Sequence, residues 1–286
     1  MSRDLKKLLR SEATTLGTWT QIAAPEMVDL IGLNGFSFTI IDCQHGPFGI
    51  ETAENLARAA DANDIAVALR VSRNDPVEIM KALDAGIRHV VVPNIETAGA
   101  AAAAVAATRF GPHGLRGACP CCRSGGHYIR NWQDYVAAEA ARVGAIALVE
   151  TGEGYRNIEA ICATEGLTAL MVGPFDLAVS MGFEGNWRAG PVIAAVTAML
   201  EAARASKLPA IMPVFAPTKD ECVALIERWR GHGVTCFVIG SDKIIVADAF
   251  ASWTGALGHK TESLRDLTFE KRAGRAPDSS ASTPDG

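Results

Sequence analysis

The amino-acid sequence predicts an α/β protein of the (β/α)8 TIM-barrel class, and three observations lead there. Eight short β-branched or apolar runs recur between residues 16 and 256, and segments with helical spacing separate nearly all of them. The runs are apolar almost throughout, as in a parallel sheet whose outer face is covered by helices. The first run ends in Thr18-Trp-Thr-Gln21, without the glycine-rich phosphate turn that opens a doubly wound sheet. The length agrees: 286 residues hold one barrel of about 250 residues and a tail. A chain of this size buries about three quarters of its unfolded surface and needs no disulfide or metal to stand.

Taken in order, the expected strands are 16–22, 36–42, 65–70, 89–93, 145–150, 167–173, 208–213 and 236–240. Helices open after Pro25, with Glu26-Met-Val-Asp-Leu-Ile31, and after Pro76, with Val77-Glu-Ile-Met-Lys-Ala-Leu83. Proline suits a first helical turn, and Gly35 and Gly86 stand where these helices stop. Residues 98–107 are alanine-rich and about half the length of a bilayer span, so they read as a helix and no membrane partner is expected. Residues 109–130 break the rhythm as a long irregular loop, either a lid or binding loop or a contact with another subunit. The barrel domain is expected over residues 1–259, and the Pro/Ser/Asp-rich stretch 260–286 as a disordered tail.

Composition narrows the function classes. Lys+Arg total 27 against 32 Asp+Glu, a net charge of −5, which excludes the basic surface of a nucleic-acid binder. The 49% hydrophobic content excludes disorder for most of the chain. Seven cysteines and a charged N-terminal MSRDLKKLLRSE without an apolar core point to reduced thiols and a cytoplasmic location. Cys119, Cys121 and Cys122 invite a zinc reading, but the second ligand pair that such a site needs is missing from the sequence.

Active sites of these barrels lie at the carboxyl ends of the strands. There the sequence places Asp42 and His45 after the second run, Arg70 after the third, Glu150 after the fifth and Asp176 after the sixth. Each has a plainer reading. Arg70 could simply pair with Asp42, Glu150 or Asp176 could cap a helix, and His45 could be a buried structural histidine. Together they form an oxygen-rich site with a cation and a proton carrier. Two carboxylates suit a hard divalent ion, Mg2+, Mn2+ or Co2+, chelated by a 2-oxo acid. Arginine suits a developing enolate. The Schiff-base version of this chemistry needs a strand lysine. None is present, since Lys243 lies outside the eighth run.

At these residues the chain resembles the HpcH/HpaI aldolase family of metal-dependent pyruvate aldolases. The matching stretches are Gly17-Thr-Trp19, Ile41-Asp-Cys-Gln-His-Gly-Pro47, Leu69-Arg-Val-Ser-Arg-Asn-Asp-Pro76, 107–117, Val149-Glu-Thr151 and Gly173-Pro-Phe-Asp-Leu177. The resemblance implies a barrel of the phosphoenolpyruvate/pyruvate-binding type. It makes His45 the general base, Arg70 the enolate-stabilising arginine, and Glu150 and Asp176 the metal ligands. It makes Asp84 a partner of His45 supplied by a neighbouring subunit, within a homo-oligomer, a trimer or hexamer, that exchanges its C-terminal helix. Asp42 and Gln44 become supporting residues around the metal waters and the base, and the Phe175 N–H a donor to the substrate carboxylate. Gln44 stands where many members have Glu, and Leu148 where some have Gln; the cysteine cluster is expected where the aldehyde is sensed. The implied reaction is reversible aldol cleavage of a 4-hydroxy-2-oxo acid to pyruvate or hydroxypyruvate and an aldehyde. An acyl-CoA lyase of the citrate-lyase-subunit or malyl-CoA type, with Arg109, Arg116 and Arg123 on the CoA phosphates, is one alternative. A catalytically silent metabolite-binding barrel is the other.

Overall fold

The computed structural model describes residues 4–258. Eight parallel strands close into a barrel in sequence order: β1 (Thr15–Thr20), β2 (Phe38–Asp42), β3 (Ala66–Arg70), β4 (His89–Val92), β5 (Gly144–Val149), β6 (Leu167–Val172), β7 (Ala210–Val214) and β8 (Cys236–Ser241). The expected barrel class is therefore the observed one, and strand ends move by at most two residues. β7 begins at Ala210 rather than 208 because the Leu208 N–H closes the preceding turn on the Ala203 carbonyl and Pro209 has no N–H to give.

The helices are α1 (Leu5–Leu9), α2 (Pro25–Leu33), α3 (Ile50–Ala62), α4 (Pro76–Asp84), α5 (Ala98–Thr108), α6 (Trp132–Arg142), α7 (Gly152–Arg156), α8 (Ile158–Cys162), α9 (Pro174–Ser180), α10 (Gly190–Ala205), α11 (Lys219–Arg230) and α12 (Asp242–Ala256). Pro25 and Pro76 occupy first turns, and the Asp75 carboxylate caps α4 on the N–H groups of Val77 and Glu78. Gly35 and Gly86 adopt φ +90° and +85° just beyond α2 and α4, the left-handed geometry that ends a helix. The chain divides into one compact unit ending at Asp242 and a second that starts at Lys243, where α12 exposes Phe250 and Trp253 and Leu257 is exposed just beyond it. The expected barrel end at 259 and the tail over 260–286 lie outside the described residues. Among the described residues no helix is long and apolar enough to cross a membrane.

Strand side chains alternate between two apolar layers. Ile41, Leu69, Val90, Val92, Ala147, Val149, Leu170 and Val172 face the helices. Phe38, Ile40, Ala66, Ala68, Val91, Ile146, Leu148, Ala169 and Met171 fill the barrel interior. A side chain at Gly17 would collide with the Phe38 ring, so the glycine makes room for the aromatic. Leu5 and Leu9 of α1 join the interior cluster and close its amino-terminal end. The same two-residue period carries Asp42, Arg70 and Glu150, each two positions beyond an interior residue, to the mouth at the other end.

His89, two positions before Val91, is buried near that closed end, and its Nε2 has no hydrogen-bond partner. Burial, with the charges of Lys6 and Arg88, lowers its pKa to about 3. The unfolded chain protonates histidine near pH ~6.5, so stability from the neutral imidazole is complete above that value and is lost as pH falls toward 3. Between about pH 7 and pH 5 this loss is expected to reach about 2 kcal/mol. Urea unfolding at both pH values checks it: His89→Leu is expected to remove that part of the slope, and an unchanged slope would refute the assignment.

Candidate active site

β2 and β3 pair with Asp42 directly beside Arg70, and both residues point into the mouth. The guanidinium grips the carboxylate with two hydrogen bonds, Nε to Oδ1 at 2.9 Å and Nη2 to Oδ2 at 2.7 Å. Asp42 is 0% and Arg70 8% exposed. Gln21 Nε2 donates to Oδ2 at 2.7 Å, and the backbone N–H groups of Gln44 and His45 donate to Oδ1 at 3.1 and 3.2 Å. Burial works to raise the Asp42 pKa, but the Arg70 guanidinium, Gln21 and the His45 N–H outweigh it and hold the carboxyl below its usual range. Arg70 also lies over the Trp19 ring, 4.3 Å from its centroid. Gln21 is fixed from behind, because its N–H and that of Ile22 donate to Asp242 Oδ2 at 2.9 and 2.8 Å. The Arg70–Asp42 pairing weighed as the plain reading is thus real, and it presents the guanidinium in one orientation. His45 is exposed in the turn after β2, not a buried structural histidine, while the Gln44 amide oxygen is buried without a hydrogen-bond partner.

Glu150 follows β5 and is 4% exposed. Its Oε1 accepts the Asn94 N–H at 3.0 Å, and Asn94 reaches it from a left-handed φ of +53°, which asparagine tolerates. Burial pushes the carboxyl up to about 7; the Asn94 N–H opposes this, the Asp176 charge adds to it, and Arg70 opposes it more weakly. Gly173 lies against this carboxylate: a Cβ there would stand 2.6 Å from Glu150 Cβ and 2.9 Å from Oε2. Neither acid is a helix cap. Thr151 caps α7, and Gly173 occupies the N-cap position of α9. Phe175 and Asp176 are exposed in the first turn of α9, where main-chain N–H groups lack intrahelical acceptors. Among the described residues no group of three or more His, Cys, Asp or Glu is placed to hold a metal ion. Glu150 and Asp176 are two carboxylates that could offer a cation oxygen atoms only.

Asp84 is elsewhere in the chain. It ends α4, which runs antiparallel to the strands and therefore finishes at the amino-terminal end of the barrel, opposite His45. Its carboxylate accepts from Arg116 Nη2 at 2.8 Å, and the buried Arg116 also donates to Glu139 Oε2 at 3.1 Å. The segment between α5 and α6 that contains the cysteine cluster lies at the same end, because α5 has already run back down the barrel. Within one chain the cluster is therefore far from the mouth, contrary to its expected place beside the aldehyde. Arg123 is engaged there as well, with Asp61 Oδ2 at 2.6 Å and the Ala85 carbonyl at 2.7 Å. All seven cysteines are free.

One end of the barrel thus gathers Asp42, Gln44, His45, Arg70, Glu150, Phe175 and Asp176. Residues 15–249 match the family model described as HpcH/HpaI aldolase/citrate lyase. The chain belongs to this family. Among its relatives, the 5-keto-4-deoxy-D-glucarate aldolase of Klebsiella pneumoniae subsp. pneumoniae is 32% identical over 237 residues, 83% of this chain and 90% of the relative. The one from Salmonella paratyphi A is 31% identical over 266 residues, 93% and 96% of the two chains. An HpcH/HpaI aldolase/citrate lyase family protein from Burkholderia cenocepacia J2315 superposes with a TM-score of 0.82 at 28% identity, covering 88% of this chain and 98% of that one. Citrate synthase SbnG superposes at 0.79 with 26% identity, covering 89% and 97%. As an HpcH/HpaI family member with aldolase relatives, the protein is a carbon–carbon lyase of the aldolase type.

Sequence reasoning did not assign parts to Gln21, Asn94, Gly173 or Asp242. Only the barrel closure brings Gln21 and Asp242 together, and Asn94 acts through its backbone, so neither contact leaves a side-chain pattern to read. Gly173 had a visible trace, since a glycine follows an apolar run at a strand's carboxyl end. Replacing Asp42 with Asn would leave the Arg70 charge buried without its carboxylate, which costs about 3–5 kcal/mol. Urea unfolding of Asp42→Asn is expected to show a loss of that order, and stability equal to the parent would show that Arg70 does not depend on the pair.

Proposed function

We propose that this protein catalyses reversible, divalent-metal-dependent aldol cleavage of a 4-hydroxy-2-oxo acid into pyruvate or hydroxypyruvate and an aldehyde. The observation that carries the reading is the buried Glu150 carboxylate beside Asp176, within the electrostatic reach of an Arg70 that Asp42 holds rigid. The named substrate of the curated relatives supports it. Read from its keto end, 5-keto-4-deoxy-D-glucarate is a carboxylate, a ketone, a methylene and a carbinol in sequence, which is a 4-hydroxy-2-oxo acid.

The residues fit a hard divalent cation. A carboxylate pushed up to about 7 by burial and a neighbouring acid gains most from a cation, and two carboxylates with remaining positions for water and substrate oxygens suit Mg2+, Mn2+ or Co2+. Bound between Glu150 and Asp176, such an ion would supply positive charge for the keto oxygen and the enolate that develops from it. The chain's own groups do the rest. The Phe175 N–H orients the substrate carboxylate. His45, exposed in the turn after β2, takes the proton of the C4 hydroxyl. As that oxygen becomes a carbonyl the C3–C4 bond breaks, and its electron pair passes to the 2-oxo unit as an enolate. Arg70 donates to the enolate oxygen from a position fixed before the reaction. Return of the proton to C3 gives the 2-oxo acid product.

A neighbouring subunit would supply Asp84 to His45, with Arg116 orienting it. The exposed apolar residues of α12 support a homo-oligomer, trimer or hexamer, with exchanged C-terminal helices. The free thiols agree with a cytoplasmic location. The acyl-CoA alternative is weakened because Arg116 and Arg123, two of the three arginines assigned to the CoA phosphates, are tied up in ion pairs.

Exchange of pyruvate methyl protons into D2O, followed by NMR, tests the proposal. Exchange is expected with at least one of Mg2+, Mn2+ and Co2+. Its absence with all three, alongside retained binding of the 2-oxo acid, would leave the silent barrel. His45→Ala is expected to lower turnover by about 10²–10⁴-fold without a change in thermal stability. Glu150→Gln is expected to weaken metal binding first, seen as a raised metal requirement.

A further inference from the structure

A second concavity, of about 870 Å³, lies at the amino-terminal end of the barrel, among the turns that lead into β5, β6 and β7. Four cationic side chains line it: Lys6 in α1, Arg10 just after α1, Arg109 after α5 and Lys207 after α10. Glu165 is the one carboxylate in the lining. Lys6 is already engaged, donating from Nζ to the carbonyls of Ala141 and Val143 at 3.1 and 2.7 Å. Arg10, Arg109 and Lys207 are exposed and form no ion pair among the described residues. Burial lowers the Lys6 pKa; Asp4 opposes this, while the charges of Arg10 and Arg109 lower it further, so these cations crowd one place.

Two features of the backbone favour this crowding. Gly166, at φ +89°, leaves the room that the Arg109 guanidinium occupies, and a side chain there would collide with it. Lys207 has φ +55° immediately beyond the C-cap of α10, a left-handed position that glycine fills most readily. A lysine stands where the backbone alone would prefer glycine. Helix carbonyl ends attract single cations. That attraction accounts for their sign but not for three side chains converging on one cleft with a single acid.

We propose that this cleft binds a small multiply charged anion, a metabolite with two or more phosphate or carboxylate groups, through Arg10, Arg109 and Lys207. Guanidinium groups pair with the planar or tetrahedral oxyanions, and the lysine supplies a mobile point charge. The site is separate from the mouth, so its ligand is not the aldol substrate in its reacting pose.

Calorimetric titration of the full chain with pyrophosphate and, in parallel, with citrate tests the assignment, with no divalent metal added so that chelation does not contribute. Sub-millimolar binding that weakens with salt is expected for at least one of them. Pyrophosphate alone would mark a phosphate ligand, and citrate alone a polycarboxylate. Arg109→Ala and Lys207→Gly are each expected to weaken binding about tenfold or more. Lys207→Gly also relieves the left-handed lysine, so its Tm without ligand is expected to equal or exceed the parent's, which separates lost binding from lost fold. No binding of either anion at millimolar concentration, or equal affinity in both variants, would overturn the proposal.

Discussion

The Asp42–Arg70 pair is the contact on which the rest of the mouth depends. Two charges removed from water are costly unless their hydrogen-bonding capacity is filled. Here the carboxylate accepts from Arg70, Gln21, Gln44 and His45, while the guanidinium rests on Trp19. These contacts commit parts of β1, β2, β3 and the turn carrying His45 to one arrangement. They also leave a fixed positive group opposite Glu150, whose burial would otherwise favour the neutral acid still more strongly. Structural need and the proposed chemical use coincide at Arg70, because a guanidinium that cannot swing would pay no reorganisation cost if charge developed beside it.

The two ends of the barrel carry different polar logic. At the mouth, acids meet one arginine and a main-chain N–H. At the closed end, Arg116 is clamped between Asp84 and Glu139, Arg123 is bound to Asp61, and Lys6 caps the end of α6 through two carbonyls. The long segment between α5 and α6 is therefore held in large part by buried and part-buried ionic contacts. Phe110, Trp132 and Tyr135 add a small aromatic cluster, with ring centroids 5.0 to 6.0 Å apart.

Much of this is legible in the amino-acid sequence. Strands such as Phe38–Asp42 and Ala66–Arg70 are apolar runs that end in one charged residue, and a strand buried on both faces leaves no other place for that charge than its open end. The same reasoning found Glu150 at the end of Gly144–Val149. It did less well where function depends on non-local approach. Nothing local to Gln21 marks it as a donor to Asp42, because their proximity exists only once β1 and β2 pair. The loop containing Cys119 reads as irregular from its prolines and glycines, but which end of the barrel it occupies follows from the direction of α5 alone. The expectation that Asp84 serves the histidine rests on family resemblance alone, since within its own chain Asp84 pairs with Arg116.

Parity along the strands has a wider consequence. Asp42, Arg70 and Glu150 each stand an even number of positions from interior residues that fix the direction of the strand. Deleting a single residue from β2, β3 or β5 would turn the charged residue outward, into the apolar layer beneath the helices, and bring an aliphatic side chain to the mouth. Length change in this architecture is therefore safe in the connections and ruinous in the strands. The barrel wall works as a reading frame for the chemistry, so new specificities can arise by altering loops while the order of inward and outward residues stays untouched.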